Sequence, residues 1–123
     1  MSKKILLVDD DREWNFLLKL RLEKAGFEIA QAYNGKEAIQ MINKNMPDLV
    51  FMDINMPELD GWETCEQLRA KTDTENLPII IVSSYNHSDD VDRGKKFKIK
   101  RYHIKPCSPN AIVQSAQEIL DKK

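Results

Sequence analysis

Short apolar runs alternate along this chain with longer segments in which apolar residues recur at helical spacing. The runs predict strands near residues 4–8, 27–31, 48–52, 78–82 and 101–104. The first, third and fourth runs are continuously apolar, as expected of central strands that helices cover on both faces. This alternation is typical of βα units around a parallel sheet, and it differs from the pattern of a sandwich or a helical bundle.

The segments between the runs carry start and stop signals of helices. The first helix is predicted to end at Gly26 and to bury one stripe, formed by Trp14, Leu17, Leu18, Leu22 and Ala25. Capping-box patterns at 34–37 and 60–63 are predicted to open the second and third helices, and Ser108-Pro109 the last. The fourth helix, around 88–97, is predicted to be the most mobile because Gly94 lies in its interior.

The order of these elements predicts the fold class. With right-handed crossovers it gives an α/β domain in which helices cover both faces of a doubly wound, five-stranded parallel sheet. The strand order is predicted to be 2-1-3-4-5, as in flavodoxin-like folds. The first and third strands are then neighbours, and a ligand crevice is expected between their carboxyl ends.

Length and composition limit the classes of protein that remain. The chain has 123 residues, enough for one domain with one core, and its formal net charge of −1 attracts neither nucleic acid nor a membrane surface. The apolar run behind Met1–Lys4 is too short for a signal peptide or a membrane span. Cys65 and Cys107 are interpreted as reduced thiols. We therefore predict a cytoplasmic protein without a membrane segment.

Four of the predicted strands end in side chains that can take part in chemistry. These side chains are Asp9-Asp10-Asp11, Asp53, Ser83-Ser84 and Lys105, after the first, third, fourth and fifth strands. Carboxylates crowded at one crevice repel one another, and a hard divalent ion such as Mg²⁺ relieves this repulsion. A carboxylate nucleophile with a metal, a lysine and a hydroxyl around it is suited to forming an aspartyl phosphate.

With these residues the chain resembles the receiver domain of two-component response regulators over essentially its whole length. The segments that carry the resemblance are Ile5–Asp10, Met52–Pro57 with Asp60-Gly61, Leu77–Ser83 and Lys105-Pro106. One departure is Lys98-Ile99, which stands where the family commonly has a small Gly-Ala pair before the last strand. The resemblance implies a phosphoprotein of signal transduction that modifies and resets itself but is not an enzyme acting on an external substrate.

The resemblance also implies a role for each site residue. Asp53 would accept a phosphoryl group from phosphohistidine of a sensor histidine kinase or a histidine phosphotransfer protein. Asp10, Asp53 and the backbone carbonyl of Asn55 would bind Mg²⁺, with Asp9 reaching it through water. Lys105 would pair with the phosphoryl group, preceding a cis peptide bond to Pro106. The remaining roles are those of Ser83 and Tyr102 in switching, and of Asn55 and Tyr85 in tuning the lifetime of the phosphorylated state.

The output and the partners are expected to lie outside this chain. Because it ends after its last helix, we expect residues 1–123 to form a single receiver domain, monomeric or weakly dimeric, that controls an unknown downstream protein or relay step and does not bind DNA. Phe16 and Leu20, spaced i, i+4 on the first helix, are a candidate docking patch for the kinase. A basic cluster, Lys95, Lys96, Lys98, Lys100 and Arg101, is either a solvated face, a surface for an acidic partner, or a self-association surface.

Three other functions share features with this sequence. A phosphatase of the haloacid dehalogenase type would need a second acid two residues after its aspartate nucleophile, where this chain has Asn55. A flavin-binding domain of this topology would need a phosphate loop rich in glycine and hydroxyls after the first strand, where three carboxylates stand instead. A phosphorylation-independent docking module on a receiver fold stays open, because only chemistry excludes it.

Overall fold

The computed structural model describes residues 2–84 and 88–121, which form alternating strands and helices. The strands are Lys4–Val8 (β1), Glu28–Ala32 (β2), Leu49–Met52 (β3), Ile79–Ser83 (β4) and Arg101–Ile104 (β5). The helices are Arg12–Lys24 (α1), Gly35–Lys44 (α2), Gly61–Arg69 (α3), Ser88–Lys96 (α4) and Pro109–Leu120 (α5). Each predicted strand lies within one residue of the observed one. The mobility predicted for α4 stays a prediction.

The strands form one parallel sheet in the order β2-β1-β3-β4-β5. Val8 pairs with Ala32 on one side and with Met52 on the other, and Ser83 pairs with Ile104. The carboxyl ends of the strands therefore lie along one edge of the sheet, where β4 extends two residues beyond Ile81, the partner of Met52. The predicted doubly wound fold and its strand order are confirmed.

Two hydrophobic clusters pack on opposite faces of the sheet. The first joins alternate residues of β1, β3 and β4 to α2, α3 and Phe97, and the second joins the other residues of these strands to α1 and α5. Adjacent residues such as Leu6 and Leu7 belong to different clusters because successive side chains of a strand point to opposite faces. This double burial is why the central strands are apolar at every position.

The buried face of α1 differs from the predicted stripe. Leu18 and Leu22 are buried as expected, but Leu17 and Ala25 are exposed and Asn15 is fully buried. The Asn15 amide donates to the backbone oxygens of Asp9 (3.1 Å) and Ala32 (3.2 Å). Its own oxygen accepts a bond of 3.0 Å from Gln31. The helix thus faces the polar ends of β1 and β2, where backbone carbonyls require a donor.

The predicted capping residues begin their helices, and one capping side chain, that of Glu37, accepts from a different backbone amide than predicted. Asp60 and Glu63 form a complete capping box at α3, and Ser108 accepts from the Asn110 amide at the start of α5. Asn34 caps α2, but the Glu37 carboxylate accepts from the Tyr33 amide rather than from that of Asn34. Gly26 follows α1 with φ +100°, in the left-handed region that favours glycine.

The Lys98-Ile99 pair, which departs from the family's usual Gly-Ala, adopts an uncommon backbone conformation. Lys98 follows α4 with φ 58°, a left-handed conformation that usually selects glycine. The Ile99 amide donates to the Gly94 carbonyl at 2.8 Å, which closes the end of the helix. Lys98, rather than a small residue, therefore follows the end of α4 and leads the chain towards β5.

Candidate functional site

Backbone hydrogen bonds draw the ends of the strands together. The Asp53 amide donates to the Val8 carbonyl at 2.9 Å, and the Lys105 amide donates to the Ser83 carbonyl at 2.9 Å. These bonds extend the pairing of β1 with β3 and of β4 with β5 by one residue each. They place Asp53 and Lys105 at the carboxyl edge of the sheet, next to the ends of β1 and β4.

The start of α3 packs directly against the backbone of Asp53. The Gly61 amide donates to the Ile54 carbonyl at 2.8 Å. A Cβ at Gly61 would lie 2.3 Å from the Asp53 carbonyl oxygen and 2.7 Å from the Ile54 Cα. Only glycine fits this approach, so the Asp60-Gly61 pair fixes both the helix start and the loop that carries Asp53.

Three carboxylates meet at this edge. Asp9 and Asp53 are 5% and 7% exposed, Asp10 is exposed, and one oxygen from each lies within 4.8 Å of the others. Oδ1 of Asp53 accepts from the Ile54 amide at 2.8 Å, and Oδ1 of Asp9 accepts from the Asp11 amide at 2.9 Å. Asp11 itself caps α1 by accepting from the Trp14 amide, so it serves the helix rather than this cluster.

Burial and mutual repulsion make the cluster electrostatically unfavourable. Burial, with the negative charge of Asp9 as the next cause, raises the pKa of Asp53 from 3.8 to about 7. Lys105, the Ile54 amide and the Ser83 hydroxyl, which hydrogen-bonds to Asp53, oppose this rise. Burial also raises the pKa of Asp9, against the hydrogen bond from Lys105.

Lys105 is the cation that partly offsets this charge. Its Nζ lies 2.6 Å from Oδ2 of Asp9, and its side chain is 18% exposed. Ser83, at the end of β4, is fully buried. One lysine and one hydroxyl thus stand beside the two buried carboxylates, and the third carboxylate, that of Asp10, is exposed.

The chemistry of this donor set fits a hard divalent cation. Carboxylate oxygens are the ligands that Mg²⁺ prefers, and it commonly binds through one or two carboxylates. A cation would also offset the effects of burial and of the charge of Asp9, which together raise the pKa of Asp53. The three residues that fit such an ion are Asp9, Asp10 and Asp53.

Comparison with known proteins identifies the family. The model of the response regulator receiver domain matches residues 5–117 of this chain. The chain belongs to this family. It is a receiver domain of two-component signalling, and such domains are phosphoryl acceptors rather than conventional enzymes.

Curated relatives and solved structures agree with this assignment. The protein named "Probable transcriptional regulator ycf27" of Pyropia yezoensis is 35% identical over 119 residues, which are 97% of this chain and 48% of that protein. The alkaline phosphatase synthesis transcriptional regulatory protein PhoP of Bacillus subtilis is 34% identical over 120 residues, 98% of this chain and 49% of that protein. The receiver thus spans about half the length of the curated relatives it matches.

Solved receivers match nearly the full length of the chain. A CheY-like response regulator receiver domain protein from Methanospirillum hungatei JF-1 matches with a TM-score of 0.92 and 26% identity, covering 99% of this chain and 96% of that one. The chemotaxis protein CheY4 of Vibrio cholerae matches with a TM-score of 0.90 and 26% identity, covering 98% and 100%. Within the described residues, none of the receiver's helices is long and apolar enough to span a membrane.

Asn55 and Tyr102, which the resemblance also singled out, lie within the described residues. Asn55 is exposed in the loop after β3, and Tyr102 is half-buried in β5, where it packs against the cluster that contains Phe97. Lys105-Pro106 is a cis peptide bond, as expected. Tyr85, assigned to lifetime tuning, lies outside the described residues. The roles of these residues stay predictions.

The two predicted surfaces are exposed. Phe16 and Leu20 on α1 are 53% and 48% exposed. The basic cluster of 95–101 is exposed at all five of its basic positions. Arg101, however, forms an ion pair with Glu118 of α5. At least one charge of this cluster is therefore already partly neutralised within the receiver.

Sequence reasoning missed Asn15, which holds the end of β1 against α1. Its amide bonds to the carbonyl of Asp9 itself, so it helps to fix the backbone of a residue in the acidic cluster. The sequence signal for this residue is its position: Asn15 lies between Trp14 and Leu18, two members of the apolar stripe of the first helix.

Proposed function

We propose that this receiver accepts a phosphoryl group on Asp53 from the phosphohistidine of a sensor histidine kinase or a histidine phosphotransfer protein. Phosphorylation would then switch the α4–β5 face and so control a separate partner or relay step. The observation that carries this proposal is the meeting of Asp9, Asp10 and Asp53 at one edge, with Lys105 beside them. The family assignment supports the same chemistry.

The chemical step is a displacement at phosphorus. An oxygen of the Asp53 carboxylate attacks, the P–N bond of phosphohistidine breaks, the imidazole leaves, and an acyl phosphate forms. Ile54 keeps Oδ1 of Asp53 oriented through its amide. Asp10, Asp53 and the Asn55 carbonyl would hold Mg²⁺, with Asp9 acting through water. Bound Mg²⁺ supplies charge neutralisation for the carboxylates and the phosphoryl oxygens.

The switch follows from what the new charge attracts. A phosphoryl group adds charge and acceptor oxygens, which Lys105 and Ser83 can satisfy. Lys105 would give up its contact with Asp9, and Ser83 would turn its hydroxyl from the carboxylate to the phosphoryl group. Tyr102 lies in β5, which is part of the α4–β5 face, and its inward movement would couple the site to that face.

The test is phosphoryl uptake from a small donor. The chain incubated with Mg²⁺ and acetyl phosphate is expected to gain the mass of one phosphoryl group, and to gain none when EDTA replaces Mg²⁺. Borohydride reduction followed by peptide fragmentation is expected to place the modification at residue 53. A chain that binds Mg²⁺ but takes up no phosphoryl group from this donor or from a histidine kinase would instead be a docking module.

A docking role for Phe16 and Leu20 can be tested separately from the chemistry at Asp53. Phe16→Ala combined with Leu20→Ala is expected to slow transfer from a histidine kinase about tenfold, because two exposed apolar anchors are removed from the contact. Uptake from acetyl phosphate is expected to stay within twofold of the unmodified chain. Both rates are measured by intact mass against time.

Met46→Ala provides the matched control for this pair. Met46 is 42% exposed and precedes β3, at the opposite end of the strands from Asp53. Its removal is expected to change neither rate. Equal slowing of both phosphodonors by the α1 variants would contradict the docking role, since a small donor makes no use of a protein contact.

A further inference from the structure

Trp14 lies in the first turn of α1 and contacts the lysine of the site. The Lys105 Nζ lies over the Trp14 ring, 5.7 Å from its centroid. The same ammonium is 2.6 Å from Oδ2 of Asp9. An ammonium within about 6 Å of an aromatic face is attracted by the ring quadrupole, and tryptophan gives the strongest attraction. Lys105 is thus held by a carboxylate and by an aromatic ring at the same time.

The polar group of Trp14 indicates that packing alone does not account for this residue. Its indole nitrogen is buried and has no hydrogen-bond partner among the described residues. A buried donor without a partner is unfavourable, and a phenylalanine or leucine would fill apolar space without that cost. What tryptophan adds over leucine is the ring face that Lys105 occupies.

Trp14 also lies close to the acceptor. Together with Asp9 and Asp53 it lines a cavity of about 10 Å³ beneath the carboxyl edge of the sheet. This volume is near the minimum that holds one water molecule, so the residues that line the cavity pack with little free space between them. The positive charge of Lys105 also lowers the pKa of Asp53, so the cation on the ring acts electrostatically on the acceptor.

We propose that Trp14 is a positioning residue for Lys105. When Lys105 leaves Asp9 for the phosphoryl group, the ring face continues to attract the ammonium and limits how far it moves into solvent. In that state Asp9 would act on Mg²⁺ through water, whereas the contact of Lys105 with the ring face does not involve a carboxylate of the metal site. This inference rests on the proposed acceptance of a phosphoryl group by Asp53.

Kinetics with acetyl phosphate and Mg²⁺ test the positioning role. Trp14→Leu is expected to slow uptake about 3- to 10-fold, and Trp14→Phe, which keeps a weaker aromatic face, is expected to recover much of that loss. Leu17→Ala, at an exposed position of the same helix, is the control and is expected to stay within twofold. Leucine and phenylalanine variants that are slowed equally, or a leucine variant at the unmodified rate, would overturn the inference.

A spectroscopic measurement tests the contact without phosphorylation. The chain contains two tryptophans, Trp14 and Trp62, so two indole N–H signals are expected in a proton–nitrogen correlation spectrum. Lys105→Met is expected to shift the Trp14 signal and to leave that of Trp62 in place. An unmoved Trp14 signal would overturn the inference even if a Trp14 variant fails to fold. Absence of uptake by the unmodified chain would overturn the proposed function instead, whereas this shift would still report the contact.

Discussion

Asp53→Asn is expected to abolish phosphoryl uptake and, in the same molecule, to raise the stability of the fold at pH 8. Uptake is lost because an amide is not a nucleophile toward phosphorus, whereas the carboxylate that it replaces is. Stability rises because the substitution removes a negative charge that burial, and next the charge of Asp9, make unfavourable in the folded state. Function and stability therefore move in opposite directions, which a variant that merely damaged the fold would not produce.

The pH dependence of this stabilisation has a definite sign. The pKa of Asp53 in the folded chain, about 7, lies above its ordinary value of 3.8, so the folded state binds more protons than the unfolded state between these values. The contribution of Asp53 to the unfolding free energy therefore falls as pH rises from about 4 to 7. Removing this carboxylate is expected to add about 1–3 kcal/mol at pH 8 and little below pH 4.

Urea unfolding in EDTA at pH 4, 6 and 8 measures this difference, and intact mass measures uptake. Asp73→Asn is the matched control, because Asp73 is an exposed acid in the segment between α3 and β4. The control is expected to retain uptake and to unfold like the unmodified chain. An Asp53→Asn variant that is no more stable than the unmodified chain at pH 8 would contradict the electrostatic account. One that still gains a phosphoryl group would contradict the assignment of the acceptor.

Gly61→Ala is expected to lower the unfolding free energy by about 2–4 kcal/mol. The added Cβ would lie 2.3 Å from the Asp53 carbonyl oxygen and 3.0 Å from its carbonyl carbon. These atoms belong to the backbone and cannot rotate away, so α3 or the loop after β3 must move. Because that loop carries Asp53, slower phosphoryl uptake is expected to accompany the loss of stability.

Gly94→Ala is the control for this substitution. Gly94 lies inside α4, and an added Cβ would meet its nearest neighbour, the Ile99 Cβ, at 4.0 Å. Alanine is expected to stabilise the chain there by about 0.5–1 kcal/mol, because it favours the helix and restricts the unfolded state. Equal unfolding midpoints in urea for the two variants would show that the close approach at Gly61 does not constrain the fold.

The sequence alone determined the features that depend on local pattern. Runs of four or five apolar residues marked the three central strands, β1, β3 and β4, to within one residue, since a strand buried on both faces requires apolar side chains at nearly every position. Asp60 and Ser108 were recognised as caps because capping acts within three residues. The strand ends carried the site for a related reason: in a parallel sheet, the residue after each strand falls on one shared edge.

The tertiary structure decided which residues meet at that edge and in what state. The Asn15 amide is buried because it donates to the backbone carbonyls of Asp9 and Ala32. The helical periodicity of the sequence does not predict these long-range bonds. The contact of Lys105 with Asp9 and Trp14 joins residues more than 90 positions apart. The raised pKa of Asp53 likewise depends on burial and on a neighbouring charge. The sequence thus determined the kinds of groups present at the site, and long-range packing determined their distances, partners and protonation.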